Sequence, residues 1–288
     1  MTSKNQLIRA CDASKTVRGF SLVCTDLVQE AVDIHGCSPI SGMAFGRLLM
    51  GALLMGDTLK GDNETLTLRV KGDGELSSIL AVADSKGHVR GTLSNPLVLN
   101  SKSVGEAIGK GTLTVIRDMG LKEPYTSTVK LQTGEIGDDL AYYYASSEQT
   151  PSAMGFAVIY DRETLKIKVA GGFFVQLMPD CPEPYQITIE ENLSWMGGVS
   201  KVLEEEPTAE HLLRKVMDGL DIEIMETKEV SYKCNCSKER IKRALSSVSK
   251  EELIKWRDDD KPTETTCEFC HKKYSLSKEE IQELIDSK

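Results

Sequence analysis

The sequence predicts an α+β protein of three parts. Residues 1–181 read as a mixed, largely antiparallel N-terminal α/β domain, 182–229 as a helical acidic linker, and 230–288 as a small C-terminal metal-binding domain. Three observations carry this division. Short strands joined by glycine turns fill the first part; a Cys181-Pro182-Glu183-Pro184 break introduces apolar stripes at helical spacing; two close-set cysteine pairs lie near the C-terminus. At 288 residues the chain can bury a real core and hold more than one domain.

Charge is distributed along the same boundaries. The formal net charge is −9, of which −8 falls in 182–229, −2 in 1–181 and +1 in 230–288. A nucleic-acid binder wants the opposite sign, so that partner class is disfavoured. The polar start, MTSKNQLIR, does not read as an export signal, and the expected location is cytoplasmic. In that reducing compartment eight cysteines are not a disulfide framework. Cys11, Cys24, Cys37 and Cys181 stand alone and are expected to be small buried hydrophobes.

Residues 25–35 (TDLVQEAVDIH) set Leu27, Val28, Ala31 and Ile34 on one helical face, and Gly36 stops the helix. Ser38 and Pro39 open a second helix whose only charge as far as Gly56 is Arg47. Its length borders on a membrane span, and Gly42-x-x-x-Gly46 resembles a transmembrane packing motif. The glycines, the internal arginine and the lack of a second apolar run favour a buried core or subunit-interface helix, with no membrane partner. Leu66, Leu68 and Val70 alternate with Thr65, Thr67, Arg69 and Lys71. Turns at 72–74 and 86–87 separate this strand from two more at 79–83 and 88–93, an antiparallel meander.

A short helix over 103–108 precedes a strand over 112–117. The intervening GEAIGKGT run at 105–112 fails as a phosphate loop: three residues separate its glycines, Gly111 follows the lysine, and the loop leads into a strand. No nucleotide is expected. Residues 135–149 form a helix with Ile136, Leu140, Tyr143 and Tyr144 on one face. The adjacent tyrosines are expected in the core, since Glu135, Asp138, Asp139 and Glu148 would repel a nucleic-acid strand. Strands follow at 155–160 and 165–170, and GGFFVQLM at 171–178 ends the region. No Ser/His/acid set, paired carboxylates or histidine pair occurs in 1–181, so no enzyme is expected. His35 and His88 read as surface or turn residues.

In the acidic segment Ile189, Leu193, Met196 and Val199 share a face interrupted by Gly197-Gly198. After Pro207 and the N-cap Thr208, Leu212, Leu213, Val216 and Met217 form a second stripe. A glycine pair inside a helix costs about 1–2 kcal/mol against alanine. Glu204-Glu205-Glu206 also crowds negative charge where a helix end prefers cations. The segment is expected to stay folded only against its neighbours.

Cys234-Asn235-Cys236 and Cys267-Glu268-Phe269-Cys270 lie thirty residues apart, the layout of a four-thiolate tetrahedral site. Soft thiolates in that number suit one zinc ion. With four protein ligands the site has no open position, which makes it structural or redox-active and excludes hydrolytic use. The one-residue gap of the first pair departs from ribbon spacing and allows a small, strained and labile disulfide. Spacing alone leaves both an inert zinc staple and a thiol switch open.

Several stretches together resemble the 33 kDa redox-regulated heat-shock chaperone family, the 33 kDa chaperonins. They are the Gly46-Arg47 helix, 66–95 (LTLRVKGDGELSSILAVADSKGHVRGTLSN), 135–153 (EIGDDLAYYYASSEQTPSA), 171–179 (GGFFVQLMP), YKCNCSKER at 232–240 and CEFCHKKY at 267–274. The resemblance implies that Cys234, Cys236, Cys267 and Cys270 bind zinc in the reduced state. It also implies that oxidation joins Cys234 to Cys236 and Cys267 to Cys270, releases zinc and activates an ATP-independent holdase. Its partners would be unfolding client proteins, and its active form a homodimer.

Physical chemistry makes such a switch reasonable. The last fifty-nine residues hold few large apolar groups, among them Ile241, Leu245, Leu253, Ile254, Trp256, Tyr274, Leu276 and Ile281. Zinc in thiolate sites supplies about 10–16 kcal/mol of folding free energy. Lys233, Lys238, Arg240, Lys272 and Lys273 are expected to keep the sulfurs ionised. Loss of metal would unfold this domain, undock 182–229 and expose apolar surface. The alternative is a constitutive zinc-ribbon nucleic-acid-binding protein, with 233–243 (KCNCSKERIKR) contacting phosphate.

Overall fold

Pro39 opens a helix at the position where its missing N–H is of no consequence. That helix, Pro39–Gly56, is long and apolar enough to cross a membrane, yet 78% of it is buried inside the protein. A helix apolar on every side needs walls on every side, and two sheets supply them. The computed structural model describes residues 5–259 and 263–287, in two units, Met1–Lys233 and Cys234–Lys288.

In chain order the first unit has β1 (Gln6–Asp12), β2 (Val17–Val23), α1 (Thr25–His35), α2 (Pro39–Gly56), β3 (Thr65–Gly72), β4 (Ser78–Asp84), β5 (His88–Leu93), α3 (Val104–Ile108), β6 (Gly111–Asp118) and β7 (Tyr125–Lys130). It continues with α4 (Gly137–Ser147), β8 (Ser152–Tyr160), β9 (Ile167–Leu177), α5 (Glu183–Trp195), α6 (Val199–Glu205), α7 (Ala209–Val216), β10 (Ile222–Glu229) and β11 (Ser231–Tyr232). One sheet has the order β10-β1-β2-β9-β8 and the other β11-β5-β4-β3-β6-β7. Neighbouring strands are antiparallel except β11 beside β5. Helix α2 contacts both sheets, and its apolar side chains join theirs in one core. Gly46 allows the close approach: a Cβ there would lie 2.7 Å from Val28 of α1 and 3.0 Å from Val158 of β8.

A second core lies on the other face of the five-stranded sheet, beneath α5, α6 and α7. Glycines in three strands make room for it. A Cβ at Gly19 would collide with Met217 and lie 2.8 Å from Leu213 of α7; at Gly155 it would meet Val199, and at Gly171 Leu203, each at 2.9 Å. The acidic segment therefore packs flush on the sheet.

Several elements differ from expectation. β1, β2 and β7 have no counterpart in the sequence reading. β2 is buried along nearly its whole length, so it lacks alternation, and β7 is an exposed Thr/Ser-rich edge. The acidic segment is helical to Val216, but its last residues form β10, whose every second side chain is partly buried. Gly197 and Gly198 lie between α5 and α6 with φ of 70° and 95°, so they end one helix and start the next without a helix-interior penalty. His35 is buried rather than superficial, edge-on to Phe45 and 3.3 Å from the Tyr232 hydroxyl.

The second unit has α8 (Lys238–Leu245), α9 (Lys250–Asp258), β12 (Thr263–Thr266), β13 (Lys273–Leu276) and α10 (Lys278–Asp286). Ser237, Ser249 and Ser277 each cap a helix by accepting the backbone N–H three residues on. Its core consists of Leu253, Leu276, Ile281, Leu284 and Ile285, with Leu245, Val248, Ile254 and Trp256 partly covering it.

Candidate metal centre

Cys234 and Cys236 lie on the irregular stretch between β11 and the Ser237 cap of α8. Cys267 and Cys270 bracket the turn between β12 and β13. The Cys267 N–H donates to Lys272 O at 3.0 Å, the His271 N–H donates to Cys267 O at 2.9 Å, and His271 takes the left-handed conformation at φ 54°. This turn aims the Lys272 N–H at the Cys270 sulfur, as the Cys236 N–H is aimed at Cys234. All four Sγ atoms lie within 4.8 Å of one another. Cys234 Sγ is 3.7 Å from Cys267 Sγ, and Cys236 Sγ is 3.4 Å from Cys270 Sγ.

These distances suit a shared ion. Four sulfurs about 2.3 Å from a central metal have edges of about 3.8 Å. Four soft donors converge here, with backbone N–H groups directed at two of the sulfurs, and the cluster is of a size that could hold a metal ion.

Tyr274, read from the sequence only as an apolar core residue, belongs to the site. Its hydroxyl donates to Cys236 Sγ at 3.0 Å. Burial opposes the Cys236 thiolate, but hydrogen bonds from Tyr274 and the neighbouring thiols outweigh it and bring the thiol down to about 7. Donation to that sulfur in turn holds the Tyr274 hydroxyl well above its ordinary range. Burial pushes the Cys234 and Cys270 thiols up. Three of the five basic side chains expected to ionise the sulfurs have other partners. Lys238 is 2.7 Å from Glu280, Arg240 donates to Asn235 O at 3.2 Å, and Lys272 lies over the Tyr274 ring at 5.5 Å.

Other predicted positions resolve plainly. Tyr143 and Tyr144 are buried against the core, whereas Tyr142 is exposed. Asp139 is buried too, and its carboxylate accepts the N–H groups of Gln132, Thr133, Gly134 and Ile136, which organises the turn before α4. His88 is partly buried and opens β5 instead of lying in the turn before it, with Nδ1 2.9 Å from Asp84. Cys24 and Cys181 are buried, while Cys11 and Cys37 are partly exposed. In the basic run, Lys242 pairs with Glu280 and Glu283, each at 3.1 Å.

Fold and site define a two-unit α+β protein whose small C-terminal unit carries a four-cysteine centre. A family model described as Hsp33 protein matches residues 5–277. The 33 kDa chaperonin of Ruminiclostridium cellulolyticum is 42% identical over 285 residues, covering 97% of each chain. That of Clostridium beijerinckii is 41% identical over 291 residues, covering 99% of each. The crystal structure of the 33 kDa chaperonin (heat shock protein 33 homolog) from Thermotoga maritima matches with a TM-score of 0.88 at 35% identity, over 99% of this chain and 98% of that one. The chain belongs to the Hsp33 family of 33 kDa chaperonins.

Proposed function

We propose that this chain is a cytoplasmic, redox-regulated and ATP-independent holdase that binds unfolding proteins and catalyses nothing. The observation that carries this is the meeting of four thiols in a unit with so small a core. In the reduced state Cys234, Cys236, Cys267 and Cys270 hold one zinc ion as thiolates, and the bound ion supplies about 10–16 kcal/mol towards folding. Leu253, Leu276, Ile281, Leu284 and Ile285 alone do not offset the chain entropy of the unit.

Oxidation removes the ligands. One peroxide takes two electrons from a thiolate pair and, with two protons from the solvent, leaves as two waters, so two peroxides and four protons close Cys234–Cys236 and Cys267–Cys270 and free the zinc ion. Unit 234–288 then unfolds, and the acidic linker 182–229 lifts from the sheet. Beneath it lie Ile8, Ala10, Val17, Val169, Phe173 and Val175, an apolar face to which clients bind on a homodimeric active form. The nucleic-acid alternative gains no support, because Lys238 and Lys242 of its basic run are paired with acids of the same unit.

The test is light scattering of a heat-denaturing client with the reduced, zinc-loaded chain and with the peroxide-treated chain, while a dye reports released zinc. Suppression of aggregation that rises with zinc release and reverses on thiol reduction is expected. Zinc release without suppression would leave the site a structural staple. Cys234→Ser is expected to make client binding partly independent of oxidant while the first unit stays folded.

A further inference from the structure

Strand β10 lies at the end of its sheet, with β1 as its strand neighbour. The pairing runs from Ile222 opposite Asp12 to Glu229 opposite Gln6, and Met225 is the extra residue of a bulge between Arg9 and Ala10. The bulge turns the strand over. On one side of it Ile222 and Ile224 face the core beneath α5, α6 and α7. On the other, Glu226 lies 2.8 Å from Arg9, and Lys228 is paired with the buried Asp57. The other edge of β1 is paired with β2 from Gln6 opposite Val23 to Cys11 opposite Arg18. β1 is thus held extended whether or not β10 is present.

β10 belongs to the acidic linker, so any role for the edge it covers rests on the redox-driven release of that linker. We infer that the edge of β1 uncovered by departure of β10 takes up an extended segment of the unfolding client by strand addition. An open edge presents a row of unpaired N–H and C=O groups, and recognition through the main chain tolerates many sequences. Asn5 O accepts from the Val230 N–H and the Ala13 N–H donates to Asp221 O, so by alternation Leu7, Arg9 and Cys11 also turn their main-chain groups to this edge. When Lys228 leaves with β10, Arg9, whose Nη1 is 3.7 Å from Asp57, remains as the counter-charge of that buried carboxylate. The places of Ile222 and Ile224 beside Ala10 accept apolar residues at alternate positions. The occupant is therefore an extended segment with two alternate apolar side chains.

The test uses the full oxidised chain, amide exchange at Leu7, Arg9 and Cys11, and two peptides: IEIMETKE, the sequence of β10, and the same peptide N-methylated at the amides that face β1. These three amides are expected to exchange freely after oxidation and to be protected at least about tenfold when denatured client is bound. The plain peptide should displace client from the edge, and the methylated one should compete about tenfold less well, as the loss of one or two main-chain hydrogen bonds requires. If aggregation is suppressed while these amides stay unprotected, clients sit on the apolar face alone and the edge is overturned. Protection that persists after oxidation without client means that β10 never leaves, and protection that grows with protein concentration means that a second copy fills the edge; both overturn it. Absence of any suppression after zinc release overturns the holdase itself.

Discussion

The Tyr274 hydroxyl reaches Cys236 Sγ at 3.0 Å from the inward face of β13, which it shares with Leu276. A donor to a ligand sulfur steadies its negative charge and orients it, and loss of such support commonly costs 10–100-fold in metal affinity. Tyr274→Phe, which keeps the ring, is therefore expected to weaken zinc binding about tenfold in the reduced chain and to speed zinc loss to peroxide. Competition with a chromophoric chelator measures this, and unchanged affinity would remove Tyr274 from the site. The four cysteines were legible because their chemistry lies in residue type and spacing, both visible in the chain. Tyr274 was legible only through alternation in β13: Tyr274 and Leu276 point inward while Lys273 and Ser275 point out. Nothing in the spacing of the lysines indicated that Lys238 would be held by Glu280 instead of serving a thiolate.

Helix α7 sits where Gly19 leaves a gap in β2, with Met217 and Leu213 filling the space of a side chain. Gly19 is not among the glycines with positive φ, so a branched residue suits its strand backbone, and the obstruction lies in the ends of two side chains, Leu213 of α7 and Met217 just after it. Gly19→Val should therefore lift α7 and leave the sheet intact, at an overpacking cost of about 1–3 kcal/mol. Client-aggregation assays on the reduced, zinc-loaded variant are expected to show more suppression than the parent in the same state. An inactive variant that unfolds at lower temperature would mean that docking of α7 is not the restraint. At this scale the sequence was readable where one face is wet. The meander of β3, β4 and β5 and the stripe of α1 are of that kind. It was unreadable where both faces are buried, as in β2, or where charged residues take the half-buried positions, as Glu226 and Lys228 do in β10.

The two units keep separate cores: those of the first draw on residues up to Tyr232, and that of the second begins at Leu253. Their stabilities should therefore respond differently to metal. Chelating the ion from the reduced chain is expected to unfold 234–288 alone. Amides of α8, α9 and α10 would exchange at once, while those of α2 and of β3 to β6 stay protected. If release of the acidic linker depends on the loss of that folded unit and not on the disulfides, chelation without oxidant should also raise client binding, and returned zinc should lower it. The −8 charge of 182–229 would keep the opened chain dispersed. A single cooperative transition shared by both units on chelation would show that one core supports the other, and the metal centre would then be a stabilising element of the whole fold instead of a local switch.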